Sequence, residues 1–126
     1  MIINIISSRK GGGAEMLVNE LHKIYLKKRL PVHSIFFSGN YEKGDKDISI
    51  FKLNPRSPYN IFLLRKLIKK ITKNYRNKII IHSHLTWPFY YTVLALLGFS
   101  DIKLIYTEHN TYNKRRKIPL FFLLER

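Results

Sequence analysis

The chain has no cysteine and few acidic residues, 8 Asp and Glu against 23 Lys and Arg. Without cysteine there is neither a disulfide framework nor a thiolate metal site, and a reducing compartment fits. The shortage of acid leaves a formal charge of +15. Such an excess predicts an acidic partner: nucleic acid, an anionic membrane surface or a phosphorylated ligand. Long apolar runs are missing too. The longest, LTWPFYYTVLALLGF at 85–99, falls short of the ~20 residues that cross a bilayer and contains Pro88, so it reads as a buried helix. The apolar run after Met1 is too short for a signal-peptide core and has no basic segment before it. A cytoplasmic location is expected. What is present, 45% hydrophobic and 13% aromatic residues over 126 positions, suits one globular domain and excludes disorder.

Hydrophobic period alternates along the chain. Residues 2–7 read as a strand and 14–29 as a helix, with Leu17, Leu21 and Ile24 on one stripe and Glu20, Lys23 and Lys27 off it. Pro31 stops that helix. Strands follow at 32–37 and 49–53 around a turn-rich loop at 38–45, and then a helix at 58–75 with Pro58 in its first turn. A strand at 78–84, a helix at 86–97 and a strand at 102–108 complete the pattern. Four of the strands are near-continuous apolar runs, as expected when helices cover both faces. The fold class is therefore α/β: a doubly wound, Rossmann-like parallel sheet of about five strands. In such sheets ligands sit at the carboxyl ends of the strands, here SSRKGGG, HSH and TEHNT. The last residues, PLFFLLER, read as a helix that stops with four large apolar side chains in a row. That ending predicts a piece of a longer protein.

The glycine loop SSRKGGGAEM raises the question of which phosphate it binds. A P-loop of the chromosome-partitioning ATPase type begins KGG, as Lys10, Gly11 and Gly12 do, but then needs glycine, lysine and threonine where Ala14, Glu15 and Met16 stand. Glu15 reverses a required charge and Met16 cannot hold Mg²⁺, so ATP hydrolysis is excluded. A dinucleotide fingerprint needs a glycine at Met16 and an acid after the second strand, and neither is there. Three glycines at a helix start do let the backbone approach an anion closely, with about half a positive charge facing it. Glu15 in the first turn is either a helix-start residue complementing that dipole or a polar wall of a cleft.

The loop GGGAE (Gly11, Gly12, Gly13, Ala14, Glu15), then IHSH (His82, His84), then TEHN (Thr107, Glu108, His109, Asn110) with Arg115 and Arg116 resembles the N-terminal domain of glycosyltransferase family 4. The motifs follow in order over nearly the whole chain. Enzymes of this family have the GT-B fold and move a sugar from a nucleotide diphosphate sugar. The resemblance implies that residues 1–126 are an acceptor-side domain incomplete at its C-terminus, with the donor-binding domain absent and the chain inactive alone. It implies a glycan or lipid-linked acceptor, in bacterial polysaccharide or glycolipid assembly, and no cofactor beyond the nucleotide sugar. It also implies a catalytic His109 facing the transferring sugar, with Gly11, Gly12, Gly13, Glu15, His84, Asn110, Arg115 and Arg116 binding substrate or diphosphate.

Read from the residues alone, His82 and His84 share one strand face. They are either hydrogen-bonded structural groups or acceptor contacts; a metal pair with His109 lacks the spacing that would compel it, so no metal site is expected. His109 is either a sugar contact or a turn residue. In the second helix Ile61, Leu64, Leu67, Ile68 and Ile71 form one side, and Arg65, Lys66, Lys69, Lys70 and Lys73 the other. That cationic face is either a solvated surface or a dock for anionic lipid, worth about 1 kcal/mol per basic residue. Lys114 to Lys117 carry further charge. The alternative function is a basic nucleic-acid-binding or membrane-surface module without catalysis, but most aromatics lie in apolar runs and no nucleic-acid motif occurs, which disfavours nucleic acid.

Overall fold

Isoleucine, valine and phenylalanine, stiff or flat side chains that pack well on a pleated surface, crowd the runs that become strands. The computed structural model describes residues 1–109. Its elements are β1 (Ile2–Ser8), α1 (Gly13–Lys27), β2 (Val32–Ser38), β3 (Ile48–Ile50), α2 (Tyr59–Thr72), β4 (Ile79–His84), α3 (Thr86–Ala95) and β5 (Ile102–Thr107). The strands form one sheet in the order β3-β2-β1-β4-β5, all parallel. This is the α/β, Rossmann-like parallel sheet that the apolar runs predict. The segment after His109, with Asn110, Arg115, Arg116, Lys114 to Lys117 and PLFFLLER, lies outside the described residues.

Alternate side chains of each strand enter two cores. Ile3 and Ile5 of β1, Ile35 and Phe37 of β2, and Ile79 and Ile81 of β4 meet Leu64 and Ile68 of α2 and Tyr91 and Ala95 of α3. Ile6, Phe36 and Ile50 point the other way, onto Val18 and Ala14 of α1. Thus α1 covers one face over β1, β2 and β3, and α2 and α3 share the other. Leu64 and Ile68 are fully buried, each contributing about 1.5–3 kcal/mol relative to exposure. The apolar stripe expected for α2 is therefore the one that packs.

Three expectations need correction. In α1 the buried residues are Val18 and His22, whereas Leu17 and Ile24 are 45% and 44% exposed. The helix is rotated from the expected stripe because His22 finds partners inside: Nδ1 lies 2.7 Å from Ser34 Oγ and Nε2 2.8 Å from the Lys46 carbonyl. A satisfied imidazole is cheap to bury, so apolarity alone did not choose the face. Strand β5 is not covered on both sides among the described residues. Ile102 and Leu104 join the α2 and α3 core, while Lys103 and Ile105 face outward, the alternation of an edge strand. Strand β3 is also shorter than expected, ending at Ile50. No helix among the described residues is long and apolar enough to cross a membrane.

Candidate functional site

Because every strand is parallel, β1, β4 and β5 discharge their following loops at one edge of the sheet. After β1 the glycine loop turns into α1. Glu15 folds back over it: its Oε2 accepts the Gly12 N–H at 2.9 Å and its Oε1 accepts the Ser8 hydroxyl at 3.3 Å. A side chain on Gly11 would press within 3.3 Å of that carboxylate, and Gly11 has φ +156°. Glu15 therefore does both things its position allowed. It partners the helix start, and it lines a pocket of about 370 Å³ together with Arg9, Lys10, Asn19 and Lys23. The amides of Gly13 and Ala14, in the first turn, have no intrahelical acceptor.

The loop is held from behind by Arg9, which sequence reasoning missed. Arg9 is only 7% exposed, and its guanidinium forks onto the Asp45 carboxylate, 2.6 Å from Nη2 to Oδ1, with the Asn40 carbonyl 3.3 Å away. Asn19 Nδ2 donates to the Arg9 carbonyl at 2.9 Å. The Asp45 side-chain bond holds the Arg9 pKa above its ordinary value, and the same bond holds the Asp45 carboxyl below its own. The chain passes Arg9 at Gly39, where φ is +125° and a Cβ would lie 2.8 Å from Arg9 Cβ. Only glycine fits there. Glycine loop and 38–45 loop are thus one unit.

At the ends of β4 and β5 three imidazoles stand in a row. The rings of His82 and His84 are 3.9 Å apart between centroids, and those of His84 and His109 5.4 Å apart. His84 Nδ1 lies 3.2 Å from His109 Nε2, and His82 Nε2 lies 2.7 Å from Thr107 Oγ1. His84 is fully buried and its Nε2 has no hydrogen-bond partner among the described residues. A proton on Nδ1, donated to His109 Nε2, leaves only a lone pair unmatched, so we assign that tautomer. Burial drives the His84 pKa down to about 3, with His82 and His109 adding to the effect. Burial lowers His82 as well. The rings stack rather than converge, and among the described residues no group of three or more His, Asp or Glu is arranged to hold a metal.

Two neighbours of this row shape it, Leu85, which carried no signal in the sequence, and Glu108 of the TEHN motif. Leu85, directly after His84, has φ +71°, a costly conformation for leucine. Its N–H reaches the Thr107 carbonyl at 3.3 Å, tying the turn to β5. Glu108 accepts a hydrogen bond from the Tyr106 hydroxyl and another, at 3.5 Å, from the Thr86 hydroxyl. Of the residues expected to bind substrate, the structure brings His84 and His109 into contact and sets the glycine loop on the same edge, one strand from β4 and two from β5. Asn110, Arg115 and Arg116 lie outside the described residues.

The basic face of α2 also changes. Lys66, Lys69, Lys70 and Lys73 are exposed, but Arg65 is not part of that surface. Its guanidinium donates to the Ala95 and Leu97 carbonyls at 2.9 and 2.5 Å and stacks 5.1 Å from the Phe99 ring centre. It satisfies the carbonyl end of α3 instead of a lipid headgroup. Two aromatics continue the lysine stripe toward the helix start: Tyr59 and Phe62, 70% and 69% exposed.

A cavity of about 600 Å³, lined by Met1, Leu30, Pro31 and His33 among others, opens at the amino ends of the strands, away from these motifs. The convergent polar groups are at the carboxyl edge, so the site is assigned there. The buried row has a pH signature. Folded His84 stays neutral down to about pH 3, whereas the unfolded side chain protonates near 6.5. The unfolded state therefore binds the extra proton between those values, and stability falls as pH drops through that window. Urea unfolding is expected to show a loss of roughly 1–2 kcal/mol from His84 between pH 7 and pH 5, with His82 acting in the same direction, and a smaller loss in His84→Gln. Equal pH dependence in the two proteins would contradict it.

Comparison with known proteins identifies the family. No curated protein matches the chain. The family profile described as Glycosyltransferase Family 4 matches residues 11–126, from the glycine loop through both histidine motifs. The chain belongs to glycosyltransferase family 4.

Proposed function

We propose that residues 1–126 are the acceptor-side domain of an enzyme that transfers a sugar from a nucleotide diphosphate sugar to a glycan or lipid-linked acceptor in cell-surface polysaccharide or glycolipid assembly. The observation that carries this reading is the contact between His84 and His109. It joins two strand ends at the edge where the glycine loop also opens. His109 serves as the catalytic contact, hydrogen-bonding a hydroxyl of the transferring sugar or offsetting charge that develops on it. The buried, neutral His84 fixes the His109 ring from the side. The glycine loop meets the diphosphate with the amides of Gly13 and Ala14, while Glu15, already holding Gly12, accepts hydrogen bonds from sugar hydroxyls. No metal or other cofactor is required by this scheme. Asn110, Arg115 and Arg116 extend the diphosphate contacts.

The donor nucleotide is held chiefly by a second domain, so these 126 residues alone release no nucleoside diphosphate from any nucleotide sugar. Supplied with a donor-binding domain they support transfer, and His109→Ala lowers kcat about 10²–10³-fold. Release by the 126 residues alone would contradict the division of labour, and undiminished transfer in His109→Ala would contradict the role of His109.

The α2 stripe of Tyr59, Phe62, Lys66, Lys69, Lys70 and Lys73 docks the domain on an anionic bilayer at the cytoplasmic face. Aromatics suit the interfacial layer and lysines the headgroups, at about 1 kcal/mol per charge. Vesicles containing phosphatidylserine are expected to recruit the chain at low salt and to release it at high salt. Replacing Lys66, Lys69 and Lys70 by Glu abolishes recruitment, whereas Arg65→Gln does not. Retention of the triple variant on such vesicles would remove the membrane from the account.

A further inference from the structure

On the α2 and α3 side of the same edge lies a separate cavity of about 310 Å³. Pro55, Trp87 and Pro88 give it apolar walls, and Ser7, Arg56 and Thr86 give it polar groups. Nothing described so far uses it. Its size is at the low end for ligand pockets, room for one ring rather than an extended chain.

Hydrogen bonds hold the backbone of one wall of the pocket. Tyr91, nearly buried against α2, donates its hydroxyl to the Arg56 carbonyl. The Arg56 N–H donates to Asn54 Oδ1 at 2.9 Å, and buried Asn60 donates to the Asn54 carbonyl at 2.9 Å. With its backbone tethered on both sides, Arg56 lays its guanidinium over the Trp87 ring, 5.9 Å from the centre. Among the described residues no carboxylate pairs with it. An exposed arginine fork over an indole, with no acid beside it, complements an anion that binds through two oxygens.

We infer that this cavity is an acceptor subsite for a single sugar ring carrying an anionic group, either a carboxylate or a phosphate ester. Arg56 pairs with the anion, the Trp87 and proline walls take the apolar face of the ring, and the Ser7 and Thr86 hydroxyls meet its hydroxyls. The surplus of positive charge on the chain draws such a ligand in. Calling the subsite an acceptor site rests on the proposed transferase reading; its binding chemistry does not.

Trp87 is the chain's one tryptophan, so intrinsic fluorescence reads this pocket directly. The 126-residue protein is titrated with methyl glucuronide, glucose 6-phosphate, methyl glucoside and inorganic phosphate. A saturable change is expected with the glucuronide or the sugar phosphate at about tenfold or lower concentration than with the glucoside. Which of the two anions binds more tightly identifies the source. Arg56→Gln is expected to weaken that binding about tenfold or more while leaving the far-UV circular dichroism unchanged. No response to either anionic sugar, equal affinity for the neutral glucoside or for inorganic phosphate, or an unaffected Arg56→Gln protein would overturn the inference. Any of these, with transfer still supported once a donor-binding domain is supplied, leaves the transferase reading standing. Saturable binding together with no transfer in that combination leaves the subsite standing and removes the transferase reading.

Discussion

The described structure depends on the burial of β1 from both sides. Ile3 and Ile5 face α2 and α3, Ile6 faces α1, and all three are fully buried, as is Asn4 between them. β1 also pairs with a strand on either side, which occupies its backbone N–H and C=O groups along the ladder. A strand enclosed in this way has nowhere to present polar chemistry except at its ends. Parallel pairing then lines up the ends of β4 and β5 beside it, so glycine loop and histidines share one edge although about seventy residues separate them in sequence. The one polar intruder, Asn4, is held by Ser34 at 3.3 Å, and Ser34 in turn contacts His22 of α1. That short polar chain fixes the rotation of α1 and with it the direction in which the glycine loop opens.

The edge is stiffened by costly features that the rest of the fold supports. An unpaired charge in place of the Arg9 and Asp45 pair would destabilise by about 3–5 kcal/mol, so the glycine loop cannot move without carrying the 38–45 loop along. Leu85 holds its positive φ because the sheet on one side and the Phe89 N–H bond to its carbonyl on the other fix both flanks. Such conformations persist where surroundings over-determine them, and here they turn the chain sharply from His84 into α3. The imidazole row is the chemical result, with the buried His84 kept neutral by its surroundings.

Much of this was legible in the sequence, for reasons that can be named. Near-continuous Ile, Val and Phe runs leave few options except enclosed parallel strands, and the strand ends then follow by counting. The glycine loop, HSH and TEHN were readable as one site because parallel topology makes strand ends neighbours. The face of α1 was not readable, since Leu17, Leu21 and Ile24 form as good an apolar stripe as the one containing Val18. The choice was made by His22, a polar residue whose partners lie on β2 and in the loop after it. Arg65 was misread and Arg9 missed for the same reason. Each looks like a surface cation in its local sequence, and each is committed to atoms about thirty or more residues away, which no periodicity reports.

The central claim is that ligand chemistry belongs to the carboxyl edge between the glycine loop and β5. Amide shift mapping by ¹H–¹⁵N correlation, with a nucleotide diphosphate sugar added at millimolar concentration, tests it most directly. The account expects the shifts to concentrate on Gly11, Gly12, Gly13, His84 and His109. Shifts confined to the amino ends of the strands, around Leu30, Val32, His33 and Asp47 beside the 600 Å³ cavity, would contradict it.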